Sequence, residues 1–398
     1  MEIEKKKEGV KEFTAELKNR LEKHFSSLPK PVLKNITEVV TALVLFLRTP
    51  RGWYGRMTLS GIARCMNTEG NARIRYKRLD RFLRNKRFEP EQTISGLLSL
   101  TYGEDTNQLL PILIDQTAIG DVQVIAGSFS YQGRAIPVAI ETFEHDEIEF
   151  SQKKIEKEFF CRLQERIGKK HRLLFVMDRG YADVKYISGF NKQGRLYIIR
   201  GCSNVIIEYN KSGKTGRISL GRLPHRQGEP RRYRKVVYHD KEKVLVDIIV
   251  YREKGFKEPW FLIVPADSED VLPTEEVVEW YRSRMRIEVK FRDFKSCLGV
   301  RGLKLEVAKA EKIGRLLVCI AIAYVLLIVM GDSSLARQIR KDIEVLRKKR
   351  RHGTRRSLSV LTVALYMATD SFLLSLSNLM KLLVSILNSA VNGLCSVT

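Results

Sequence analysis

The chain has 398 residues, 44% of them hydrophobic, with 71 Lys and Arg against 46 Asp and Glu, a net charge of +25. That length and apolar fraction exclude global disorder and allow two or three domains. So large a positive excess calls for a polyanionic partner, either nucleic acid or an anionic membrane surface.

The opening MEIEKKKEGVKEF is charged where a signal peptide is apolar, so no leader is expected. Residues 1–100 read as helical and basic. Val32–Leu47 carries helical apolar spacing. TLSGIARCMN (58–67) and NARIRYKRLDRFLRN (71–85) read as two helices joined by a turn at Thr68–Gly70, with Thr58 as an N-cap. In the second, Ile74, Leu79, Phe82 and Leu83 share an apolar side, while Arg73, Arg75, Lys77, Arg78, Arg81 and Arg84 crowd the rest. A short helix pair with a basic second member suits DNA, although a basic surface helix can also touch nothing.

Residues 108–143 switch to strand character. LLPILID (109–115), VQVIAGSFSY (122–131) and RAIPVAIETF (134–143) are followed by a charged helix at about 151–169. HRLLFVMD (171–178) is a further apolar strand, and a short helix near 183–192 leads to RLYIIRG (195–201). The order β-β-β-α-β-α-β, with strands this apolar, suggests an α/β fold whose sheet is covered on both faces. From 202 to 265, strand-like pieces at 205–209, 234–239, 244–251 and 260–264 alternate with Gly- and charge-rich turns, which looks like a separate β unit. An amphipathic helix is expected from Thr274 to Cys297, and helices dominate the remainder. LLVCIAIAYVLLIVM (316–330) is shorter than the roughly 20 residues that span a bilayer and reads as a buried helix. No membrane partner is therefore expected. The polybasic RKKRRHGTRR (347–356) suits phosphate contact, which needs only charge density. Cys65, Cys161, Cys202, Cys297, Cys319 and Cys395 are scattered without metal-ligand spacing, as in a protein of the reducing cytoplasm.

Asp115 and Asp178 both read as ending apolar strands. A carboxylate there projects from a rigid element into the adjoining crevice, where α/β enzymes place their sites. A single such Asp is ordinarily a turn former or helix cap. The 274–297 helix adds Tyr281, Arg284, Glu288 and Lys295, which at about 100° per residue fall on one face about 60° wide. Such a face can be merely solvated or salt-bridged. Together, however, three carboxylates on two strands and a helix suit two magnesium ions, which prefer hard oxygen ligands and act on phosphodiesters as a pair.

The spacing Tyr-x2-Arg-x3-Glu-x6-Lys, present as YRSRMRIEVKFRDFK (281–295), resembles the signature of the insertion-sequence-four family of bacterial DDE transposases. ILIDQT (112–117), with Thr two places after Asp, and FVMDRGY (175–181) resemble that family's two aspartate strands. The resemblance implies a ribonuclease-H-like catalytic core interrupted by a β-rich insertion, with helical N- and C-terminal regions. The implied domains are 1–100 (DNA-binding), 105–201 (first part of the core), 202–265 (insertion), 266–335 (second part of the core) and 336–398 (helical C-terminal region). It implies cut-and-paste transposition with Asp115, Asp178 and Glu288 as catalytic and metal-holding residues, using Mg2+, two ions with Mn2+ able to substitute. Tyr281, Arg284 and Lys295 would contact DNA. Trp260 falls where the family stacks a flipped base during hairpin formation, and Arg200 where it places an arginine near that base. The sequence departs from some members in having Met285 where they carry Trp after the motif Arg. The implied partners are the double-stranded inverted repeats and target DNA, engaged by a homodimer in the cytoplasm, at the nucleoid. The contrasting reading is a non-catalytic or domesticated DNA-binding relative that acts as a regulator.

Overall fold

The computed structural model describes residues 2–49, 56–103, 108–144, 151–211, 214–305, 307, 309–350, 355–371, 373–389 and 393–395. Five helices open the chain: α1 (Glu2–His24), α2 (Lys30–Leu47), α3 (Leu59–Cys65), α4 (Ala72–Leu83) and α5 (Ile94–Thr101). Thr58 caps α3 by accepting from the Gly61 amide, and Asn71 caps α4 by accepting from Ile74, both at 3.1 Å. The turn between them uses Gly70 at φ +97°, a conformation that favours glycine. Leu79, Phe82 and Leu83 point inward as their spacing requires. Ile74 does not. It is 54% exposed, because it sits in the first turn of α4 and folds back over Gly70 instead of joining the apolar stripe.

Next come β1 (Leu109–Ile119), β2 (Val122–Tyr131), β3 (Arg134–Glu144), α6 (Gln152–Arg166), β4 (Arg172–Met177), α7 (Val184–Lys192) and β5 (Leu196–Arg200), in the order the sequence indicates. β1 to β3 form an antiparallel meander, while β4 and β5 run parallel to β1. β1 continues beyond Asp115, because β2 pairs with it as far as Ile119–Val122, where Gly120 at φ +60° turns the chain. Asp115 is therefore mid-strand and not at a strand end. It lies just past the last β1–β4 pair, Leu113–Val176.

The 202–265 stretch supplies β6 (Ile206–Lys211), β7 (Lys214–Ser219), β8 (Arg231–Tyr238), β9 (Val244–Tyr251) and β10 (Trp260–Pro265). It is β-rich, but it does not stand apart. β10 pairs antiparallel with β5 through Leu262–Arg200 and Ile263–Ile199. Ten strands of the described residues thus share one mixed sheet, in the order β3-β2-β1-β4-β5-β10-β9-β8-β6-β7. The mixed α/β arrangement is consistent with a ribonuclease-H-like core.

The expected helix at 274–297 is a continuous path in three parts: α8 (Thr274–Ser283), α9 (Met285–Arg292) and a π turn at Asp293–Cys297. At the α8–α9 junction the ladder tightens, with Arg284 N bonding Tyr281 O and Ile287 N bonding Arg284 O, both at 3.0 Å. At the end it widens, with Leu298 N bonding Asp293 O at 2.9 Å. The chain closes with α10 (Lys309–Asp332), α11 (Ser334–Ile343), α12 (Val360–Thr369) and α13 (Leu376–Ser389).

One sheet face packs Leu113, Val176, Ile198 and Leu262 against Val277, Val278, Tyr281 and Ile287 of α8 and α9. The other carries the larger core, including the rings of Phe160, Phe175 and Phe190 and most of α10. α10 is long and apolar enough to cross a membrane, but it is buried inside the protein along nearly its whole length. Its first turns carry two buried cations that hold α4 in place. Lys312 pairs with Asp80 at 2.8 Å. Arg315 bonds the Leu83 and Phe88 carbonyls and Glu89 at 2.8, 2.6 and 2.8 Å. Buried charges need this degree of satisfaction, and here it fixes the basic helix on the central one.

Candidate active site

Strand register brings the two aspartates together. Ile112 pairs with Phe175 and Leu113 with Val176, so Asp115 and Asp178 stand level on neighbouring parallel strands. Val176 pairs with Ile198, which places Arg200 level with Asp178 on the next strand. Side chains alternate between faces along a strand. Leu113, Val176 and Ile198 point toward α8 and α9, and residues two places on share that face. Asp115, Asp178 and Arg200 therefore face the helix that carries Glu288. Asp178 also caps the short turn after β4, accepting from the Gly180 amide at 2.9 Å, so its role as a cap and its place in the site coexist.

Arg284 is the connector. Its Nη1 donates to Asp115 Oδ2 at 3.2 Å and its Nη2 to Glu288 Oε1 at 2.6 Å. The guanidinium is nearly enclosed, whereas Glu288 is half exposed. Burial pushes the Asp115 carboxyl up, Arg284 pulls it down, and the charges of Asp178 and Glu288 push it up again. The net direction is upward, because the cost of burying the charge outweighs the pull of Arg284 and of the Gln116 amide.

The donor chemistry fits a hard divalent cation, since Asp115, Asp178 and Glu288 offer only carboxylate oxygens. Their preassembly is incomplete. Among the described residues no three His, Cys, Asp or Glu side chains are grouped closely enough to hold an ion as they stand. Glu288 is held by Arg284, which also bonds Asp115.

Tyr281 is buried against Trp260, with ring centroids 5.1 Å apart and nearly perpendicular, and Trp260 also meets Tyr251 at 5.8 Å. Trp260 is half-buried in the same apolar cluster, so packing already employs one side of it. Arg200 pairs with Glu258 at 3.5 Å. Lys295 lies in the π turn, and its side chain reaches β1 on the side that carries Asp115. Its ammonium donates to Thr117 Oγ1 at 2.5 Å, two residues along β1 from Asp115.

Sequence reasoning missed Lys290. It is fully buried beneath the site, 3.9 Å from the centroid of the Phe291 ring and 3.4 Å from Ser128 Oγ. Burial pushes its ammonium down to about 7, against the pull of Asp115. A lysine on an amphipathic helix reads as exposed, so its sequence offers no signal. Also missed was the cluster anchoring the π turn, in which Asp293 pairs with Arg134 at 2.9 Å and accepts from Tyr324 Oη at 3.1 Å.

Comparison with known proteins finds two similarities. Residues 147–326 match the family model of the transposase DDE domain, a span that includes Asp178 and Glu288 and begins after Asp115. In overall shape the chain is similar to a piggyBac transposase in a synaptic complex with hairpin DNA, at 11% sequence identity and a TM-score of 0.41, over 92% of this chain and 80% of that one. No curated protein matches it in sequence.

Proposed function

We propose that the chain is a DDE transposase of the insertion-sequence-four type, which binds inverted-repeat ends, cuts them and transfers the freed strands to target DNA. The observation that carries this reading is the meeting of Asp115 and Asp178, level on adjacent parallel strands, with Glu288 on the helix that crosses them. Asp115 and Asp178 would hold a divalent cation, magnesium or manganese, and Glu288 would join them on leaving Arg284. When bound, a pair of such ions activates the nucleophile and stabilises the leaving 3′ oxygen.

The remaining roles fall to this chain's own side chains. Arg284, released from the carboxylates, and Lys295 would grip phosphates, with Tyr281 oriented by Trp260 to donate to one. Trp260 and Arg200 would receive an unstacked base at a hairpin end. Residues 1–100 would bind the ends through α4, and 202–265 would serve the hairpin step. The enzyme would act as a homodimer on DNA in the cytoplasm, at the nucleoid.

The test is a cleavage assay on DNA carrying the inverted repeats that flank the gene, with magnesium, comparing wild type with Asp178→Asn. Nicking at the repeat ends by wild type alone supports the reading. Binding without cleavage under magnesium and manganese alike would instead make the chain a regulatory relative.

A further inference from the structure

Residues 336–398 carry no catalytic motif, yet they build one wall of a large basic depression. Two clefts, of about 820 and 620 Å³, share Gln132, Arg340, Arg356 and Val360 and so form one trough. It runs from the β2–β3 turn past the outer side of α9 to the segments around α11 and α12. Arg292, Arg337, Arg340, Lys341, Arg347 and Arg356 line it. The acidic side chains in its walls are engaged within the protein. Glu344 accepts from the Ser357 and Leu358 amides at 2.7 and 2.8 Å. Asp332 accepts from Tyr131 Oη at 3.3 Å, and Asp293 is paired with Arg134. With Arg134, which is paired with Asp293, and Arg340, which meets Glu344 at 4.0 Å, seven cations stand against three carboxylates. Burial lowers the Arg340 pKa, Glu344 and Asp332 pull it back up, and the charge of nearby Arg356 lowers it. Like charge accumulated in a concave surface raises the local concentration of a polyanion.

The position of the trough gives this charge a use. Arg292 follows Glu288 by four residues on α9, one helical turn or about 6 Å along the axis. A backbone leaving Glu288 along the helix would enter the trough. Of the 347–356 stretch, Arg347 and Arg356 border it, while 351–354 lie outside the described residues. An anionic membrane also presents phosphates, but it is flat, and a trough fits a rod-like polyanion better.

We propose that this trough is a second phosphate track that holds duplex DNA beside the segment being cut. The identity of that segment rests on the transposase reading, whereas the binding itself does not.

The experiment uses the full chain without divalent metal and a duplex of unrelated sequence, with affinity measured over a salt series. Each phosphate contact contributes about 0.9 to the slope of log affinity against log salt. The variant K341Q/R356Q is expected to lower that slope by about 2, and K341R/R356K to keep it. Thermal melts establish that each variant is folded. An unchanged slope in a folded K341Q/R356Q overturns the proposal. So does a loss of binding to anionic phospholipid vesicles with none on DNA. Failure of metal-dependent nicking would overturn the transposase reading and leave the slope change standing. An unchanged slope would overturn the track and leave nicking intact.

Discussion

The guanidinium of Arg284 donates to Glu288 one helical turn ahead at 2.6 Å, while its other amino group reaches Asp115 on β1 at 3.2 Å. One planar side chain thus ties the helix carboxylate to the strand carboxylate. Lysine keeps the charge but loses the fork. Arg284→Lys is expected to slow cleavage by about 10²-fold, the scale of a misplaced catalytic group, with affinity for the ends little changed. Single-turnover nicking beside a gel-shift titration measures both. An unaltered nicking rate would remove the bridge from the mechanism.

The three carboxylates should fail individually. Asp115→Asn, Asp178→Asn and Glu288→Gln preserve size, and Asp178→Asn keeps an oxygen to cap Gly180. Each is expected to lower nicking on the order of 10³-fold or more, as when one member of a set acting as a unit is lost, and to leave end-binding intact. Any variant that cleaves at the wild-type rate takes its residue out of the site.

Asp115 should also cost stability. Burial raises its pKa over the pull of Arg284. A carboxyl whose folded pKa lies above the unfolded value weakens the fold once it is ionised. That penalty is full above the folded pKa and gone below the unfolded one. Asp115→Asn is therefore expected to melt above wild type at neutral pH, with the gap closing as pH falls through the raised pKa toward about 4. A gap independent of pH would assign the difference to packing instead.

Lys290 gives the opposite slope. Its folded pKa is pushed down to about 7 from 10.5. Between those values the unfolded chain binds more protons, so stability rises with pH across that window. Replacing the ammonium by a methionine thioether removes the cost of burying charge. Lys290→Met is expected to raise the Tm most below pH 7 and least toward pH 10. A destabilised Lys290→Met at every pH would show that the contacts with Ser128 and the Phe291 ring outweigh burial.

Trp260 packs against Tyr281 and Tyr251, so removing it disturbs both the core and any stacked base. Trp260→Phe retains an apolar ring. It is expected to preserve the Tm and first-strand nicking while reducing hairpin formation. Equal loss of nicking and hairpin formation in a stable Trp260→Phe would leave Trp260 with a packing role alone.

Much of the site is local and therefore readable. Asp178 follows an apolar strand directly, and Arg284 and Glu288 share a face at helical spacing. Asp115 was recognisable from the apolar run before it, although its strand continues, because pairing with β2 decides where β1 ends. A uniform turn of about 100° per residue does not hold through the π turn at Asp293–Cys297, so the contact of Lys295 with Thr117 is not readable from spacing. Asp293, the first residue of that turn, pairs with Arg134 on a distant strand, a contact that no periodicity reveals. β7, with the polar sequence KTGRIS, has no apolar run to announce it. The union of the 202–265 strands with the core sheet depends on β10 meeting β5, a choice made by tertiary packing.

That meeting is narrow, only two register pairs between β5 and β10, and it determines what can be trimmed from the protein. Excising 202–265 would leave Leu196–Arg200, with Tyr197, Ile198 and Ile199 at its centre, as a bare border with unsatisfied amides and carbonyls. Such a border recruits strands from other molecules. Whatever it does for DNA, the 202–265 stretch also covers that border, and a shortened chain would need a substitute for β10 to keep it paired.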